Sequence, residues 1–104
     1  MNIPETLKVA GFNYCVERPY DSFIINGDPC DGVHDFGQQL IRVARTNSSE
    51  YQQVVFLHEM AHAIVANYCS GILDDDTEER FVEQFAKGLY QVLNDNEHIF
   101  IEEE

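Results

Sequence analysis

Positive charge is scarce in this chain: 6 lysines and arginines stand against 19 aspartates and glutamates, a formal net charge of −13 over 104 residues. Nucleic acid is held by cationic side chains set against phosphates, so this balance argues against direct binding to DNA or RNA. It suits solubility, or a partner that is itself basic. Long apolar runs are missing too: none approaches the roughly 20 residues that span a bilayer. The N-terminal stretch MNIPETLKVAGFNYC has no basic segment leading into an apolar one, and no secretory leader is expected. Cysteine is sparse, with Cys15, Cys30 and Cys69 far apart and odd in number, which fits reduced thiols in a cytoplasm rather than a disulfide framework. Cys30 and His34 have a spacing that a metal can bridge, but no second pair lies near, and a buried thiol with a loop histidine is the expectation. There is no internal repeat or low-complexity tract.

What the chain does hold is enough to fold. Hydrophobic residues make up 44% and aromatics 12% of the sequence, and this length supports one modest core, so residues 1–104 are read as a single domain. Residues 6–18, TLKVAGFNYCVER, are rich in β-branched and aromatic side chains and broken once by Gly11, predicting one bent strand or two short ones. Pro19, Gly27, Asp28, Pro29 and Asp31 crowd the short piece FII, so residues 19–31 are read as mostly loop. DGVHD and QLIRVAR flank Phe36-Gly37-Gln38, which predicts a hairpin whose second arm, Gln39–Arg45, turns Ile41 and Val43 inward.

Two helices should follow. Ser49, with Gln52 three residues on, reads as a capping box for a helix over Glu50–Tyr68, stopped by Ser70 and Gly71. Asp76 or Thr77 caps a second helix over Glu78–Leu93, with acids in its first turn and an apolar stripe of Phe81, Val82, Phe85, Ala86, Leu89, Val92 and Leu93. The acidic tail, residues 94–104, is expected to be loosely held.

The first helix contains the residues that need explaining. In 54-VVFLHEMAHAIVANYC-69, His58, Glu59 and His62 interrupt a run that is otherwise almost wholly apolar. At ~100° per residue the two imidazoles lie one turn apart on one side, and Glu59 points about a quarter turn away. H-E-x-x-H on a helix is the pattern in which two imidazoles bind zinc while the glutamate reaches a water on the metal, whose pKa falls to about 7. The plainer alternative is a pair of core histidines satisfied by backbone or aspartate. A catalytic zinc usually takes a third protein ligand, and the start of the second helix offers Glu78, Glu79 and Glu83. Glu79, in line with Val82 and Ala86, is the favoured ligand. Glu83 comes next, as ligand or as the carboxylate that orients one histidine. Glu78 is best explained by the helix dipole or by capping.

IPETLKVAGFNYCVE, FLHEMAHAI and EERFVEQFAKGLYQVLNDN resemble a family of small phage and prophage proteins in which an H-E-x-x-H helix is followed by a helix with a G-L-Y-Q-V-L-type segment. That family is similar to the minimal gluzincin metallopeptidases and, more distantly, to the ImmA/IrrE metallopeptidases, which cleave phage or stress-response repressors. The resemblance implies a zincin-like fold, His58 and His62 as ligands, Glu59 as catalytic base and Glu79 as third ligand. One departure is that the Ala-Asn following the ImmA/IrrE glutamate does not occur here.

Oxyanion stabilisation needs a further group, for which Tyr51, Tyr68 and Tyr90 are candidates, each also explicable as a core or boundary aromatic. The arm Gln39–Arg45 is the expected edge for pairing with an extended peptide. The expectation is thus an α+β domain, a small N-terminal antiparallel sheet on two antiparallel helices, acting in the cytoplasm (that of the host, for a phage protein). It would be a Zn2+-dependent endopeptidase that cuts a specific protein partner, with no membrane or nucleic-acid role. The rivals are a non-catalytic protein whose acidic surface binds a basic partner, and an acidic mimic of DNA.

Overall fold

The computed structural model describes residues 1–100, apart from the side chain of Phe100. It is α+β: six strands, β1 (Thr6–Val9), β2 (Phe12–Glu17), β3 (Phe23–Ile25), β4 (Asp28–Cys30), β5 (Gly32–Asp35) and β6 (Leu40–Val43), precede two helices, α1 (Ser49–Tyr68) and α2 (Asp75–Asp95). The main sheet has the order β1-β2-β6-β5, and β3 and β4 form a separate ribbon. Gly11 ends one strand and starts another: Ala10 and Gly11 both take positive φ, as a two-residue hairpin turn requires. Two short strands therefore replace a single bent one.

The expected antiparallel pairings are present at β1–β2 and β5–β6, but β2 and β6 run parallel, with Val16 opposite Ile41. The β3–β4 ribbon and β5 lie between them in sequence, and this excursion returns the chain in the same direction. β6 is consequently an interior strand. The expectation that Gln39–Arg45 offers a free edge is corrected, because both of its sides are occupied; the edges are β1 and β5. Residues 19–31 also hold more structure than expected, since Asn26 and Gly27 at positive φ close the β3–β4 hairpin.

Period-2 alternation buries Tyr14 and Val16 of β2, and Ile41 and Val43 of β6 are fully buried. They pack with Phe56, Leu57 and Ala63 of α1 and Ala86 of α2 into one core, while Ala61, Val65 and Val82 form a second small cluster between the helices. Small side chains at that crossing let the helices approach closely. α1 is capped by Ser48, whose Oγ accepts from the Tyr51 N–H, one residue before the expected cap. Gln52 instead donates to the Asn47 carbonyl. Asp74, not Asp76 or Thr77, caps α2, accepting from the Thr77 N–H. Phe81 and Phe85 are about half exposed and stack on each other, so they leave the predicted apolar stripe. Of the tail, residues 94 and 95 close α2 and Glu97–Phe100 form a 3-10 turn; residues 101–104 lie outside the described residues. Among the described residues no helix is long and apolar enough to cross a membrane.

Candidate metal centre

The antiparallel α1 and α2 bring together residues that the sequence keeps apart. His58 and His62 sit one turn apart on α1 with Nε2 atoms 3.2 Å from each other. From α2, Glu79 places one oxygen 3.1 Å from His58 Nε2 and the other 3.0 Å from His62 Nε2. A tetrahedral zinc with ligands at ~2.0–2.1 Å has ligand-to-ligand edges of roughly 3.3 Å; the two imidazole nitrogens are about that far apart, and one ligand atom from each of His58, His62 and Glu79 lies within 4.8 Å of the others. Among the described residues this is the group of His, Cys, Asp or Glu atoms that converges to hold a metal ion. Cys30 has no part in it: its thiol turns to the Asp28 carbonyl.

Both remaining ring nitrogens are committed to carboxylates. His62 Nδ1 lies 2.7 Å from Glu78 Oε2, and His58 Nδ1 lies 3.2 Å from Glu83 Oε2. A carboxylate accepts, so His62 Nδ1 donates to Glu78, which in the neutral ring leaves its Nε2 as a lone pair, and Glu83 stands where it can hold the His58 ring the same way. The lone pairs and the Glu79 oxygens then face one another across a gap that calls for positive charge, either two more protons or one divalent cation. Glu83 thus stands beside a histidine ring, where one of the two roles foreseen for it would place it. The reading of Glu78 is corrected: it does stand in the first turn of α2, but its carboxylate is the closer of the two imidazole partners and not a cap, a function that belongs to Asp74.

Among the described residues Glu59 is the buried acid, 8% exposed. Burial pushes its carboxyl up to about 7 from an ordinary 4.5, with Glu79 adding in the same direction and His62 opposing. Its neighbour is β5, where Gly32 comes so near that a Cβ there would sit 2.9 Å from Glu59 Oε2. Gly32 and His34 share the helix-facing side of β5, and with His58, Glu59, His62 and Glu79 they line a cleft of about 370 Å³. His34 is therefore not a loop residue. Its ring stacks on Tyr14, and burial first, then His62, lowers its pKa. A period-2 reading of DGVHD would have put Gly32 and His34 on one face, and glycine inside a strand marks close approach.

Of the tyrosines, Tyr51 borders the cleft on the side of Cys30, Val55 and His58. Tyr68 is exposed beyond it, and Tyr90 packs on the core. A concavity of about 920 Å³ lies on the outer side of α2 around Phe81 and Phe85 and meets the metal group through Glu79 and its neighbour Glu83. No protein-family model, curated protein or solved structure matches the chain.

Proposed function

We propose that the chain is a zinc-dependent endopeptidase that cuts a specific protein partner. A single observation carries the reading: two imidazoles, each with a carboxylate beside its Nδ1, meet a third carboxylate in a group whose ligand atoms lie close enough together for one small divalent cation. His58, His62 and Glu79 would hold the ion, which when bound supplies Lewis acidity to a carbonyl and acidity to water. Glu59, buried beside this group, has its carboxyl raised by burial in the metal-free protein; a bound cation would favour its ionised form, which can take the proton of an attacking water and pass it to the amine released as the C–N bond breaks. β5, the sheet edge beside the cleft, has one side without a strand partner, and an extended substrate pairing there would lie over the metal group. A phage or prophage origin, with the host cytoplasm as its place of action, follows from the sequence resemblance.

The test joins metal content to cleavage. Protein purified without chelator should carry about one zinc by elemental analysis. Glu59→Gln should retain it while slowing cleavage of a co-expressed partner by about 10²–10⁴-fold. If His58→Ala and Glu59→Gln both leave the biological effect intact, the rival reading of a non-catalytic binding protein replaces this one.

A further inference from the structure

A buried chain of hydrogen bonds ends on His34. Asn67 of α1 donates from Nδ2 to the Ala63 carbonyl at 2.8 Å and to the Tyr14 hydroxyl at 3.0 Å. A backbone carbonyl only accepts, so the amide orientation is determined: both N–H groups of Asn67 point outward to acceptors. Tyr14 is 1% exposed, and with its oxygen receiving from Asn67, its own proton needs a partner inside the protein. The atom that offers one is His34 Nε2, 3.3 Å away. Nε2 must then be the acceptor, and a neutral imidazole with Nε2 accepting carries its hydrogen on Nδ1. Among the described residues no protein group meets Nδ1, nor is it a sealed, unpartnered atom.

We propose that His34 is the hydrogen-bond donor that this cleft presents to a substrate carbonyl oxygen beside the metal, held as its Nδ1–H tautomer by the Asn67–Tyr14 relay. The assignment rests on the peptidase reading of the same cleft. It supplies a hydrogen-bond donor on the wall of the cleft that the metal group also lines, which is what a carbonyl needs as negative charge develops on its oxygen when water adds. Tyr14 and Asn67 are positioning residues. They touch no substrate, and their effect is to exclude the tautomer whose N–H would point into the core.

The probe is acetohydroxamate, a small zinc chelator with a carbonyl oxygen, titrated calorimetrically into the zinc-loaded full chain. His34→Ala should bind it about tenfold more weakly, the effect of one lost hydrogen bond to a polarised oxygen. His34→Asn, whose amide nitrogen can stand where Nδ1 does, should recover much of that loss, and His34→Gln should not. Independently, long-range ¹⁵N–¹H spectra of the wild type should show His34 protonated at Nδ1, and Tyr14→Phe should release the Nε2–H form. Equal affinity of wild type and His34→Ala, no hydroxamate binding to zinc-loaded wild type, or His34 protonated at Nε2 in the wild type would overturn the assignment while leaving the peptidase reading in place. Absence of zinc from the wild type would instead remove the peptidase reading, and this assignment with it.

Discussion

Gly32 determines where Glu59 can be. A Cβ at this position would stand 2.5 Å from Val55 Cγ1 as well as against the Glu59 carboxylate, and both belong to the helix that carries the histidines. Gly32→Ala should cost about 1–3 kcal/mol of stability in urea unfolding, as overpacked positions do, and should slow cleavage more than it weakens metal binding, since the ligands lie elsewhere. The imidazole partners differ in their expected weight. Glu78 is the closer and the less exposed, and Glu83 shares its other oxygen with Lys87 Nζ at 3.1 Å. Glu78→Ala and Glu83→Ala should each weaken zinc affinity by about 10–100-fold, Glu78→Ala more, and Glu79→Ala more than either, measured by competition with a chromophoric chelator. His58 and His62 could be paired from spacing alone because i and i+4 are neighbours on any helix. The role of Glu78 could not: the first turn of a helix gives any acid a dipole and a cap to serve, and its imidazole contact appears only once the two helices are laid together.

Asp74 shows how a helix start is misplaced by a few residues. Three consecutive aspartates and a threonine are chemically equivalent as caps, and the chain uses the first. Hydrogen bonds from Thr77 hold the Asp74 carboxyl below its ordinary pKa, so its contribution is present above the unfolded value and is lost as pH falls through the folded one. Asp74→Ala should therefore lower the thermal midpoint at pH 7, and the gap between variant and wild type should close in strong acid. Strand pairing was harder to foresee. Asn26-Gly27 is a strong hairpin signal that the reading of residues 19–31 as mostly loop left unused, because Gly27 stands there among prolines and aspartates. The parallel partnership of β2 and β6 joins residues about 25 apart and leaves no local pattern. Since that pairing decides which strand is interior, β5 took the edge that Gln39–Arg45 was expected to hold.

The assembled molecule is acidic and closes around one acidic, metal-competent group, so pH and zinc should act on its stability together. In the metal-free protein, Glu59 has a raised pKa. Its favourable contribution is therefore complete below about 4.5 and disappears as pH rises through about 7, a loss on the order of 3 kcal/mol. Thermal unfolding in chelator should show the midpoint declining across that window, with a flatter profile for Glu59→Gln. Zinc at ~100 times its dissociation constant should stabilise the wild type by about 2.7 kcal/mol at pH 7, and chelator should reverse the gain. The fold class could be drawn from alternation followed by helical periodicity. The outward turn of Phe81 and Phe85 could not, because a helical wheel does not reveal how wide a face the partner covers.

Ala61, Val65 and Val82 fill the crossing of α1 and α2, and each lies about one turn from a ligand position. The width of the metal gap is thus set by methyl groups: a bulkier side chain would pry the helices open and carry the acid away from the imidazoles. Anyone transplanting this triad into an unrelated helical pair would have to copy those small contacts before the ligands themselves.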